Sequence, residues 1–226
     1  MLLAIDTSTD TASLALVQDE NVLAELTWHS GQNHTTQLLP NLNYLFDLTG
    51  MTAKSLTSIV VAQGPGSFNG LRVGISTAKG LAFSLGIPIV GVNSLEVAAY
   101  QYADTDLPVC AIFNAGRNEV AAAVYQKKDG NWQQLVKEHL TTIEQLCTMI
   151  NEKTLFCGDY MSSIAVQITA LLKQKAVIPP LTVNLRRASF LAELGRQRLN
   201  AGNMDNPATL QPIYLRHPPI TKAKHL

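Results

Sequence analysis

A chain of 226 residues can bury a full hydrophobic core, either as one domain or as two closely joined lobes. Its 17 Lys and Arg side chains match its 17 Asp and Glu, so no overall field draws a polyanion, and any contact with RNA has to be local or shared with another protein. Cys110, Cys147 and Cys157 are odd in number and lack a C-x-x-C, which argues against a disulfide framework and suits free buried thiols in a reduced, cytoplasmic setting.

The N-terminus, Met1-Leu2-Leu3-Ala4-Ile5-Asp6, has no basic segment and meets a carboxylate too early for a signal peptide. It reads instead as a strand over residues 2–6, followed by a polar turn over 7–11 and strands over 12–17 and 22–28, an antiparallel meander. A helix is expected from about 34 to 49, because Leu38, Leu39, Leu42, Leu45 and Phe46 share one face and Gly50 supplies a stop. Pro40 should kink it or mark its true first turn.

An apolar strand over 58–62 then leads into Gly64-Pro65-Gly66-Ser67-Phe68-Asn69-Gly70-Leu71-Arg72-Val73-Gly74, and a helix runs on from residue 70 to about 85. Free N–H groups at a helix start favour anions, so Asp6, Gly64, Gly66 and Ser67 form a candidate nucleotide or anion loop. The loop lacks the Gly-Lys-Ser/Thr ending of a Walker A, however, and its glycines are one residue too widely spaced for G-x-G-x-x-G. Plain turn geometry is the competing explanation.

Within the helix, Leu71, Gly74, Ile75, Ala78, Leu81, Ala82 and Leu85 form an apolar stripe. Val73, Thr77, Gly80 and Ser84 form a small-residue face, and Arg72, Ser76, Lys79 and Phe83 a third. Gly74 and Gly80 together cost about 2 kcal/mol against Ala, which close packing by the chain's own core or by another protein would have to offset. The uncharged run over 80–95 is too short, and too broken by Gly86, Pro88 and Gly91, to span a bilayer, so no membrane association is expected.

A strand over 87–92 follows, and Asn93 with Glu96 reads as a capping box for a helix reaching about 102. Residues 104–108 mark the expected lobe boundary. The second half repeats the plan, with strands over 109–114, 119–126 and 132–138 and the hairpin signal Asp129-Gly130. Thr141 with Glu144 caps a short helix. A strand over 154–157 and a helix over 161–173 come next, and a helix over 188–200 ends at Gly202. The tail from about 207 is expected to pack back on the first lobe, and Lys222 and Lys224 to fray. Two βββαβα units, residues 1–103 and 104–226, describe the α/β architecture of actin, hexokinase and Hsp70, whose two lobes face a cleft.

Signals for chemistry are sparse. Kinases of this architecture use Asp-x-Gly-Thr in the first hairpin; Asp6-Thr7-Ser8-Thr9 has the hydroxyls but no glycine. The corresponding turn of the second half offers Asn114 and Gly116-Arg117, with no carboxylate to orient Mg²⁺. No H-x-x-x-H or H-E-x-x-H occurs; His29 and His34 share no helix face, and His34 is expected to cap or contact rather than to bind metal. No G-x-S-x-G surrounds any serine. A small-molecule kinase or ATPase and, less well supported, a metallopeptidase stand as alternatives to a subunit without an active site.

The chain resembles the bacterial TsaB family of tRNA threonylcarbamoyladenosine biosynthesis proteins over nearly its whole length. The resemblance rests on Ala4-Ile5-Asp6-Thr7-Ser8, on His34 with Leu38-Leu39-Pro40, and above all on the glycine stretch 64–74. It continues through Ala78-Lys79-Gly80-Leu81-Ala82, Ser94-Leu95-Glu96, Gly116-Arg117 with Glu119-Val120, and Pro212 with Tyr214-Leu215-Arg216. Asn69 stands where the family usually has Thr, and Asn114 where it often has Asp. The resemblance implies the actin-like fold and a non-catalytic part, without cofactor or metal, in forming threonylcarbamoyladenosine at position 37 of tRNAs that read codons beginning with adenine. The implied partners are a TsaD-like catalytic paralogue, a TsaE-like ATPase, and a second copy of the chain when the paralogue is absent, with tRNA met only in the complex. The family association surface maps to the helices over 34–49 and 70–85, giving His34, Leu38, Arg72, Ser76, Lys79 and Phe83 as candidate partner-binding residues.

Overall fold

The computed structural model describes residues 1–216; Lys222 and Lys224, expected to fray, lie outside them. The first half forms a five-stranded sheet from β1 (Leu2–Asp6), β2 (Thr11–Gln18), β3 (Asn21–His29), β4 (Ser58–Gly64) and β5 (Ile89–Asn93), in the order β3-β2-β1-β4-β5. The second forms an equivalent sheet from β6 (Val109–Gly116), β7 (Glu119–Lys128), β8 (Asn131–Thr141), β9 (Thr154–Cys157) and β10 (Ala176–Val177), in the order β8-β7-β6-β9-β10. In each, the first three strands are antiparallel and the last two run parallel to the first.

The central strands are buried throughout because helices cover both faces, and the two-residue period of a strand divides their side chains between two cores. On one face of the first sheet, Leu3 and Ile5 of β1 pack with Leu42, Leu45 and Phe46 of α1 (His34–Thr49) and with Leu71, Ile75 and Ala78 of α2 (Phe68–Leu85). On the other, Leu2 and Ala4 meet Val97 of α3 (Ser94–Tyr100) and Leu191, Ala192 and Leu194 of α6 (Ala188–Asn200). The second sheet is covered outside by α4 (Ile143–Met149) and α5 (Met161–Leu172), through Leu146, Ile164 and Ile168. Its inner face packs on Leu95, Ala98 and Ala99 of α3, so this short helix is the wall shared by the two halves.

Several local expectations need correction. The strand and helix that follow the first βββαβα unit and the helix over 188–200 are present as expected, but β10, at two residues, is too short to leave a pattern and was not expected. Of the two alternatives for Pro40 the first-turn one falls away, because it lies inside α1. Asn93 does cap α3, accepting from the Leu95 N–H, but Glu96 does not complete the box: its carboxylate pairs with Arg198 of α6 at 2.6 Å. The cap of α4 is Thr142, one residue later than expected, whose hydroxyl accepts from the Gln145 N–H at 3.3 Å. A single chain boundary near 103/104 leaves α6 with the second half, whereas α6 packs on the first sheet.

The tail follows α6 along the first sheet. Asp205 bridges to Ile89 at the β5 edge, Leu210 is buried in the first core, and the Ile213 N–H donates to the Gln63 carbonyl at 2.8 Å. No helix among the described residues is long and apolar enough to cross a membrane.

Candidate functional site

The glycine stretch and the hairpin turn between β1 and β2 meet at the mouth of the cleft between the sheets. Ser67 caps α2, its Oγ accepting from the Gly70 N–H at 3.3 Å, while its own N–H donates to the Ser8 carbonyl at 2.6 Å. Three glycines spaced four apart face this turn. A Cβ on Gly66 would lie 2.0 Å from Ser8 O, on Gly70 2.1 Å from Thr7 O, and on Gly74 2.3 Å from Thr7 Oγ1. Thr7 Oγ1 in turn donates to the Gly70 carbonyl at 2.8 Å. The bare flank of α2 is therefore a slot for the Thr7-Ser8 backbone, and the loop's approach serves packing. Gly64, at φ +109, admits the tail: a side chain there would lie 2.7 Å from Ile213 O.

Asp6 ends β1 fully buried. Its Oδ1 accepts from the Ser8 N–H at 2.9 Å and from Ser8 Oγ at 2.8 Å, and its Oδ2 forms an ion pair with Arg186, 2.7 Å from Nε. Oδ1 is thus hydrogen-bonded within the chain, and Oδ2 is ion-paired with Arg186 but accepts no hydrogen bond among the described residues. Arg186 Nη2 also donates to Thr9 Oγ1 at 2.9 Å and to the Thr11 carbonyl at 3.1 Å, and lies 3.8 Å from Asp159 Oδ2. Burial lowers the guanidinium pKa, but the carboxylates of Asp159 and Asp6 outweigh it and leave the pKa above its ordinary value. Above this cluster opens a cleft of about 430 Å³ lined by Thr9, Asp10, His29, Ser67, Asn114 and Asp159. A more apolar cavity of about 290 Å³ adjoins it, walled by Phe68, Phe113, Leu140 and Tyr214. Among the described residues no three His, Cys, Asp or Glu side chains gather as a metal-ligand set.

The six candidate partner-binding residues separate. His34 and Leu38 turn inward: His34 Nε2 lies 2.9 Å from the Thr9 carbonyl, and Leu38 belongs to the first core, so neither offers a docking surface. Lys79 reaches the tail, its Nζ 3.1 Å from the Leu210 carbonyl. Arg72, Ser76 and Phe83 remain exposed on the outer face of α2, with the Arg72 guanidinium 3.8 Å from the Phe68 ring centroid and Phe83 85% exposed. At Gly80, one turn before Phe83, a side chain would meet nothing within 4 Å, so only Gly74 of the helix pair is packed by its own chain. On α1, Leu39, Tyr44 and Leu48 are also exposed. Arg186 and Asp159 were not among the sequence candidates; their partners lie far away in the chain, and no local spacing marks them.

Comparison with known proteins bears on this arrangement. The family model described as "TsaD: tRNA N6-adenosine threonylcarbamoyltransferase" matches residues 22–210. The tRNA threonylcarbamoyladenosine biosynthesis protein TsaB of Bacillus subtilis (strain 168) is 36% identical over 218 residues, covering 95% of this chain and 93% of the relative. The chain belongs to the TsaB family. Its likeness to the TsaB of Haemophilus influenzae, 26% identical, covers 96% of this chain and 93% of that relative. Among solved structures, YeaZ from Pseudomonas aeruginosa superposes with a TM-score of 0.79 at 25% identity, covering 94% of this chain and 99% of that one. The ROK hexokinase of Thermus thermophilus, at 9% identity and a TM-score of 0.52, is covered to 99% and covers 87% of this chain, a likeness of fold alone. The TsaB family assignment places the glycine stretch within a fold shared with kinases, while the ion pair to Arg186 engages the aspartate at the first turn.

Proposed function

We propose that this chain is an accessory subunit without an active site of its own, needed for threonylcarbamoyl transfer to adenosine 37 of tRNAs reading codons that begin with adenine. Its partner is a TsaD-like catalytic paralogue of the same fold, with a TsaE-like ATPase joining the pair and tRNA met only in that assembly. A second copy of the chain takes the same face when the paralogue is absent. Pathway membership follows the names of the relatives, both tRNA threonylcarbamoyladenosine biosynthesis proteins.

The observation that carries the docking reading is Phe83, 85% exposed on α2, one turn beyond a glycine with open space above it. An exposed aromatic ring is a frequent interface anchor, and burying it would contribute about 1.5–3 kcal/mol. Gly80 lets a second backbone approach closely, which gives its poor helix propensity a reason. Arg72 and Ser76, also exposed on α2, lie on the same face of the helix as Phe83.

The kinase or ATPase reading requires a free carboxylate at the first turn, whereas the Asp6 charge is buried and neutralised by Arg186, with Oδ1 bonded to Ser8. The test is reconstitution of tRNA modification from purified components with and without this chain, and with Phe83→Asp. We expect modification to fail without the chain, and Phe83→Asp to lose the paralogue while melting like the parent. Full-rate modification in the chain's absence removes the accessory role; unchanged paralogue affinity of Phe83→Asp removes the docking face.

A further inference from the structure

Arg186 enters the interior between the two sheets, and we propose that it is a resident cation holding them together, its guanidinium filling an oxygen cage contributed by both halves. Asp6 Oδ2 lies 2.7 Å from Nε, and Thr9 Oγ1 and the Thr11 carbonyl accept from Nη2 at 2.9 and 3.1 Å; all three belong to the first hairpin. The second half supplies the rest. Asp159, in the turn after β9, has Oδ2 3.8 Å from Nη2 and accepts the Thr9 hydroxyl, and the ring of Phe113 on β6 lies 5.2 Å from the guanidinium carbon.

Two carboxylates, a hydroxyl and a carbonyl make the donor set that a hard divalent ion prefers. A guanidinium meets part of it with fixed N–H directions, which a mobile ion lacks: Nη2 donates to Thr9 and Thr11, while Nε faces Asp6 Oδ2 as an ion pair without an aligned hydrogen bond and Nη1 has no hydrogen-bond partner among the described residues. Asp6 and Arg186 are 0% and 2% exposed and Asp159 25%, so the contacts are shielded from the screening that weakens surface pairs. Without the guanidinium, Asp6 and Asp159 would face each other across the cleft with unbalanced charge, and opening the sheets would be the available relief. Only the closed arrangement brings all the donors to one cation. Arg186 is in this sense a positioning residue, and the lock stands independently of the docking face on α2.

The experiment uses the full chain with Arg186→Ala, read by melting temperature and amide hydrogen exchange. We expect melting to fall by about 10 °C, the scale of a broken buried ion pair in a chain of this size. Exchange at Ser8, Thr11 and Gly158 should rise on the order of a hundredfold, since these amides lie beside the cage. Low-millimolar guanidinium, or calcium or magnesium, should raise the melting point of Arg186→Ala and leave the parent unmoved. A variant that melts and exchanges like the parent overturns the proposal, and so does one that none of the three cations restores. If Arg186→Ala gives no folded protein, Asp159→Asn at the rim decides: faster exchange at Gly158 and a smaller melting loss support the lock, and parental values of both overturn it.

Discussion

The carbonyl oxygen of Ser8 occupies the space that a side chain on Gly66 would need, 2.0 Å from where its Cβ would lie, and it also accepts the N–H of Ser67. The glycine stretch is thereby clamped to the first hairpin by a close backbone approach.

This geometry separates glycines that look alike in the sequence. Gly66→Ala and Gly74→Ala should each destabilise the chain by about 1–3 kcal/mol, because Ser8 O and Thr7 Oγ1 must move. Gly80→Ala, in an exposed helical position with nothing nearby, should stabilise the dilute isolated chain by about 0.5–1 kcal/mol. Denaturant unfolding of the three variants checks the ordering. Weaker paralogue binding by Gly80→Ala would further support close backbone docking there.

The elements themselves were legible because each has a local cause. The apolar alternation of β1 and β2, the stripe along α2, and the glycine after α1 are all readable within a turn or two, and the two helices over 34–49 and 188–200 match the expected bounds. What local pattern did not carry were particular side-chain partners settled at long range. Glu96 has the spacing of a capping box, yet Arg198, a hundred residues on, offers a stronger, charge-assisted partner. His34 and Leu38 carry the family pattern, but the helix turns them inward. Arg186 looks like any arginine beside a helix start, and only the fold brings it to Asp6. The spacing of Gly66, Gly70 and Gly74 was visible, whereas the Thr7-Ser8 backbone that explains it was not.

The Glu96–Arg198 pair makes a prediction about pH. Burial raises the Glu96 pKa above its ordinary value of 4.5, with Arg198 only partly opposing it. A carboxyl with a raised folded pKa binds protons more tightly in the folded state, so its contribution to stability is greatest below pH 4.5 and falls as pH climbs through the raised value. Compared with Glu96→Gln, which cannot ionise, the parent should lose relative stability across that window and then level off. Melting curves of both proteins from acidic to neutral pH test this; a parent that gains relative stability as pH rises through the window contradicts it.

Cys110, Cys147 and Cys157 are free and buried, and burial raises all three thiol pKa values. The thiolate is the reactive form, so a thiol reagent at neutral pH should leave the native chain essentially unmodified and react with all three once it is unfolded. Cys147, the least deeply buried in its surroundings, should be the first to react as the chain loosens; mass spectrometry of a labelling time course gives the order.

The last prediction concerns the tail, because it grips the same helix that carries the docking face. Lys79 lies on the stripe with Arg72, Ser76 and Phe83, yet its ammonium donates to the carbonyls of Ala208 and Leu210 and so faces its own chain. Leu210, 4% exposed, inserts into the first core, and three residues later the Ile213 N–H donates to Gln63 at the end of β4. Leu210→Ala should therefore cost about 2–4 kcal/mol as a core truncation. Lys79→Ala should cost only about 1 kcal/mol, since its bonds are partly open to solvent. Both should speed exchange of the Ile213 amide and proteolytic cleavage within 208–213, while Phe83→Asp should change neither. If Lys79→Ala weakened paralogue binding as strongly as Phe83→Asp, with the tail still protected, Lys79 would belong to the docking face and its bonds to the tail would yield on association.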